Sequence, residues 1–164
     1  GFGRELIAAL QESDILVDVA HVNTPGTLDI CEVTSKPLFC THTGVKSVFP
    51  HARNITDAEI DGIAASDGVI GIMFAPKFLT GKVRVDHHCV LDHIDYVVKR
   101  AGVRHVAIGS DFDGWVPIPN DMRDCRDISL ITAGLSERGH SPADVERILG
   151  LNALEMLSGQ RGAH

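Results

Sequence analysis

The sequence predicts an α/β fold of about four βα units and a C-terminal helix, half of a parallel (β/α)8 TIM barrel. Three observations point there. Strand-like and helix-like patterns alternate along the 164 residues, and strands alternating with helices imply a parallel sheet. The strand-like segments are short apolar runs, such as Ile15-Leu16-Val17 and Val69-Ile70-Gly71-Ile72. Polar residues stand where those runs stop. A complete barrel takes ~250 residues, so four units make half of one. A four-stranded doubly wound sheet is the alternative. It would place a Gly-rich phosphate turn after its first strand, and His21-Val22-Asn23-Thr24 is no such turn.

Taken in order, residues 4–12 form a helix, with Leu6, Ile7 and Leu10 at helical spacing. Residues 15–20 form the first strand, ending at His21. Residues 24–35 form a helix with Leu28 and Val33 turned inward. Residues 37–40 form a second strand ending near His42. Thr56-Asp57-Ala58-Glu59 is a capping box that opens a helix running to about Ser66. Residues 68–74 form a third strand. A helix over 85–100 is stopped by Gly102. Residues 104–109 form a fourth strand leading into Ser110-Asp111-Phe112-Asp113-Gly114. A helix over 127–137 follows, and Ser141-Pro142 opens the last one as N-cap and first-turn proline.

At 44% hydrophobic and 23% charged, residues 1–164 read as a single partial-barrel domain with its own core. The net charge of −7 argues against the basic face that nucleic acid requires. No apolar run approaches the ~20 residues of a membrane-spanning helix. The chain opens without Met and directly in a helical pattern, so its natural start is expected to lie elsewhere. Cys31, Cys40, Cys89 and Cys125 have no metal-ribbon spacing. They read as free thiols of a reducing compartment, which favours the cytoplasm.

The strand ends carry the chemistry. His21, His42 and Asp111 close the first, second and fourth strands, and in a parallel barrel such ends share one face. Imidazole and carboxylate there suit zinc or a similar divalent ion. Each residue also has a plainer reading: a hydrogen-bonding histidine at a strand end, or an aspartate capping a turn. Asp113 reads as a turn residue, and His87, His88 and His93 as surface or structural. His51, His105, His140 and His164 carry no assignment.

Five segments appear in a fixed order: Val17-Asp18-Val19-Ala20-His21-Val22, Thr41-His42-Thr43-Gly44, Arg53-Asn54, Gly109-Ser110-Asp111-Phe112-Asp113-Gly114 and Asn152-Ala153-Leu154. Together they resemble the membrane (renal) dipeptidase family of metallopeptidases, family M19, over residues 2–157. The resemblance implies a metal-dependent barrel with two zinc ions bridged by a glutamate. It makes His21 and His42 ligands of one zinc. Arg53 becomes the group that binds the substrate carboxylate, and Asp111 the handler of the catalytic proton. The family's His-x-Asp pair, bridging glutamate and substrate-contacting histidine belong to the beginning of its barrel and match nothing here. Phe78 stands where the family has a tyrosine near the substrate.

The resemblance thus implies zinc-dependent hydrolysis of dipeptides. Another metal-dependent amidohydrolase is the alternative, because a fold does not fix a substrate. A third expectation is a half-barrel inactive alone, since open strand edges favour pairing with missing residues or a second copy. Without the resemblance, Arg53 would read as a surface salt bridge.

Overall fold

The computed structural model describes residues 1–159; His164 lies outside them. Three strands form a parallel sheet in chain order: β1 (Phe39–Thr43), β2 (Val69–Ile72) and β3 (Val106–Ile108). Helices α1 (Phe2–Glu12) and α2 (Thr24–Val33) precede it. Between strands come α3 (Asp57–Ala65), the short α4 (Pro76–Thr80) and α5 (His88–Ala101). After β3 come α6 (Ile128–Glu137), α7 (Pro142–Glu146) and α8 (Asn152–Leu157), the last two joined by a π-helical turn.

The helix starts follow the capping chemistry. Thr56 and Glu59 close a reciprocal capping box on α3, and Ser141 caps α7 with Pro142 in its first turn. Gly102 ends α5 at φ 97°, a left-handed position that suits glycine.

The first strand is a correction. Residues 15–20 make one parallel bridge, Asp18 to Phe39, rather than a strand. Val17 and Val19 are buried as expected, and Val19 N donates to the Phe39 carbonyl at 2.8 Å. Asp18 Oδ1 accepts from Ala20 N at 2.9 Å and from Thr41 N at 3.1 Å. The side chain thereby takes donors that a longer ladder would use. The second strand also starts later than expected, so that it contains His42. The fourth is shortened by a 3₁₀ turn over Val103–His105.

One sheet face packs under the helices. Cys40, Ile70, Ile72 and Val106 join Leu91, Ile94, Ile131 and Leu135 in the main core. Each fully buried Leu or Ile contributes roughly 1.5–3 kcal/mol of transfer free energy. A smaller cluster places Val69 and Ala107 against Met156 of α8. Asn152 ties that end to β3, its amide donating to the carbonyls of Val103 at 2.7 Å and Val106 at 2.8 Å.

β1 carries a bulge that shapes the site. Cys40 pairs with Ile70 but Thr43 pairs with Ile72, so β1 holds one extra residue between those rungs. A bulge breaks strand alternation and re-aims side chains. The Thr41 carbonyl lies over Gly71 and Gly109, where a Cβ on either glycine would stand 2.1 Å from that oxygen. Only glycine leaves room for it.

Candidate functional site

Two histidines meet where the bulge ends. His42 Nε2 lies 2.9 Å from His21 Nε2, with the rings edge-on at 4.9 Å between centroids. His21 stands at φ 67° just after the Asp18 bridge. This left-handed conformation is uncommon for any residue but glycine, and such strain collects at functional sites.

His42 is anchored from its far side. Its Nδ1 lies 3.0 Å from Thr41 Oγ1, and the Thr41 hydroxyl donates to Asp18 Oδ2 at 2.7 Å. Consecutive strand residues ordinarily point to opposite faces; the bulge brings these two side chains together. Burial, reinforced by the Arg53 cation, pushes the His42 pKa below the ordinary histidine value, against the pull of Asp111. The ring is therefore neutral at pH 7, the form that binds a metal.

Arg53 is half-buried. Its guanidinium donates to the His42 carbonyl at 3.0 Å, and burial lowers its pKa. The next residue holds the loop: Asn54 Nδ2 donates to the carbonyls of Phe49 and Phe78, each at 2.8 Å. The Phe78 ring lies tilted against His51 at 4.9 Å between centroids, and His51 Nδ1 accepts from Arg53 N at 3.1 Å. Arg53, His21, Lys46 and Glu59 line a cavity of about 290 Å³.

Asp111 follows β3 at φ 60°, and Asp113 at φ 64° has the turn conformation expected of it. Asp111 is close enough to His42 and Arg53 to act on both electrostatically. It is not gathered with the histidines into a ligand set: among the described residues no group of three or more His, Cys, Asp or Glu could hold a metal ion. The fit to a metal is therefore partial. Two imidazole nitrogens lie 2.9 Å apart with an ordered partner behind one of them, but a catalytic zinc takes three protein ligands.

His93 is structural, as the sequence implies. It is fully buried, with Nδ1 accepting from Val45 N at 2.8 Å and Nε2 donating to the Leu79 carbonyl at 3.0 Å. His87 pairs with Asp121 at 2.6 Å, and His88 is exposed. The four cysteines are free thiols; burial pushes Cys40 up to about 12 and leaves it inert. The sequence reading missed Asp18 and Thr41. The signal was a carboxylate inside an apolar run, three residues before His21.

Known proteins resemble this chain in sequence and fold. Dipeptidase tcpJ of Claviceps purpurea is 31% identical over 160 residues, 94% of this chain and 37% of the relative. A solved metallopeptidase described as dipeptidase AC superposes with a TM-score of 0.90 at 31% identity, over 98% of this chain and 48% of that one. A metallopeptidase from Rhodobacter sphaeroides, solved with a phosphinate mimic of the dipeptide L-Ala-D-Ala, gives 0.89 at 31% identity, over 95% and 45%. The chain spans 37% to 58% of the length of these and similar curated relatives. The family model described as membrane dipeptidase, peptidase family M19, matches residues 1–161. The chain belongs to the membrane dipeptidase family, peptidase family M19.

Proposed function

We propose that residues 1–164 are one partial TIM-barrel domain of a zinc-dependent dipeptidase. In this reading His21 and His42 supply two ligands, Arg53 binds the substrate carboxylate, and Asp111 moves the proton. The observation that carries it is the 2.9 Å approach of two imidazole nitrogens at the strand ends. The relatives named as dipeptidases supply the substrate class.

His21 and His42 would hold a divalent metal, which would supply Lewis acidity toward the scissile carbonyl and lower the pKa of a bound water. The chain's own groups do the rest. Arg53 donates two parallel hydrogen bonds to a terminal carboxylate, with its guanidinium already steadied by the His42 carbonyl. Asp111 accepts a proton from the attacking water and returns it to the leaving amine. Phe78, lacking a hydroxyl, offers the substrate no hydrogen bond where the resemblance implies a tyrosine. A complete centre with two zinc ions needs ligands beyond His21 and His42.

The half-barrel reading has its own support. Leu154 is 60% and Leu157 70% exposed, and Leu157 lines a cavity of about 550 Å³ with Ile15 and Leu16. An apolar surface of that kind is ordinarily covered. The missing part of the barrel is the proposed cover, and a second copy of the chain is the other source.

The test is bound zinc per chain after loading and dialysis, followed by a dipeptide hydrolysis assay. The chain alone is expected to hold one zinc or less, to lose it on dialysis and to turn over no dipeptide. Before dialysis, in competition with a coloured chelator, His42→Ala is expected to abolish the weak binding of the parent. Zinc retained unchanged by His42→Ala would remove the histidine pair from the reading. Two tightly held zinc ions would show that the chain completes the centre itself or with its own copies.

A further inference from the structure

We infer that Asp18 and Thr41 are positioning residues that fix the tautomer of His42. The inference rests on the metal reading above only for its purpose; the geometry stands by itself. Thr41 Oγ1 lies 2.7 Å from Asp18 Oδ2 and 3.0 Å from His42 Nδ1. A hydroxyl has one proton, and an ionised carboxylate has none to give. The Thr41 proton therefore goes to Asp18, and the Thr41 oxygen accepts from His42 Nδ1–H. A neutral imidazole carries one N–H, so Nε2 is left bare. Nε2 of His42 is the atom that faces His21 Nε2 at 2.9 Å.

The arrangement is built in three steps. The β1 bulge brings Thr41 and His42 to the same side. Gly71 and Gly109 make room for the displaced Thr41 carbonyl. Asp18 is locked in place by two backbone donors, Ala20 N and Thr41 N, which hold its other oxygen. Partners behind a ligating histidine set its tautomer and orientation, and their loss typically costs 10–100-fold in metal affinity. Here the carboxylate acts through a hydroxyl.

The test reads ring nitrogens directly. Long-range proton–nitrogen NMR of the ¹⁵N-labelled, metal-free chain, at a pH where the rings are neutral, should show His42 protonated at Nδ1 and bare at Nε2. Asp18→Asn is the sharpest variant. Its amide keeps one oxygen for Ala20 N and Thr41 N but donates to Thr41 Oγ1. That frees the Thr41 proton for His42 Nδ1 and should flip the ring to the Nε2–H form. Thr41→Val should lose the preference and Thr41→Ser should keep it. In zinc competition with a coloured chelator, Asp18→Asn and Thr41→Val should bind about 10–100-fold more weakly, and Thr41→Ser within about threefold of the parent. A parent ring protonated at Nε2, or an Asp18→Asn ring that does not change, would overturn the inference. The expected tautomer without any zinc binding would uphold it and sink the metal reading instead.

Discussion

His42 at the end of β1 and Asp111 at the end of β3 are held in different ways. The β1 end is fixed by the chain itself: Asp18 and Thr41 behind His42, Arg53 on its carbonyl, and buried His93 on the Val45 amide just beyond. The β3 end is a turn in which Asp111, Asp113 and Trp115 all have positive φ, with Trp115 wholly exposed. Its main tether is Phe112, packed on Phe74 at 5.5 Å. A parallel strand end thus becomes a rigid platform only where loops and neighbouring strands supply hydrogen-bond partners. The β1 end has these within 164 residues; the β3 end has few.

The contrast breaks most sharply at two glycines. A Cβ at Gly71 would meet the Thr41 carbonyl at 2.1 Å, and one at Gly114 would meet Asp111 Oδ1 at 2.3 Å. The first obstacle is backbone inside a sheet; the second is chiefly a side-chain carboxylate, with the Asp111 backbone oxygen farther off at 3.0 Å. Gly71→Ala should cost about 3 kcal/mol or more and Gly114→Ala roughly 1 kcal/mol or less, by denaturant unfolding. Equal costs would mean that the bulge is not the rigid part of the molecule.

His93 comes next. His93→Ala removes partners from a buried amide and a buried carbonyl, which should cost roughly 2–3 kcal/mol. An effect below about 0.5 kcal/mol would mean that water replaces the ring.

A smaller effect is a pH dependence. Burial depresses the His93 pKa, so the folded state binds fewer protons than the unfolded one just below the ordinary value of 6.5. Stability should be full above that pH and fall as the solution becomes more acid, because protonating Nδ1 also breaks the Val45 bond. His93→Gln should flatten the slope. A slope unchanged by that substitution would assign the acid sensitivity elsewhere, His42 being the next group of the same sign. The smallest expected change is at the β3 turn, where Trp115→Ala should shift stability by less than about 0.5 kcal/mol. A larger loss would show that the loop is tied down after all.

The legible part of the fold was its chemistry of boundaries. Thr56–Glu59, Ser141–Pro142 and Gly102 each carry a local signal, and each helix begins or ends there. The parallel sheet was legible because helices alternate with apolar runs. Less legible was the first strand, where Asp18 spends backbone donors on its own carboxylate. The bulge was invisible, since nothing local to Thr41-His42 signals an extra residue; its cause sits in Gly71 and Gly109 on other strands. His21 and His42 were found by their places at strand ends, but their approach to hydrogen-bond distance depends on that bulge. α4 escaped because Pro76-Lys77-Phe78-Leu79-Thr80 is too short to show a period.

The Asn152 amide bears on the order in which the chain acquires its structure. One side chain joins two carbonyls 46 and 49 residues earlier, at the start of β3. During synthesis β3 can pair with β2 as soon as it emerges, but its lower end stays open until residue 152 arrives. A released chain truncated at about residue 140 should show protease cleavage near Val103–Val106, and the full chain should not.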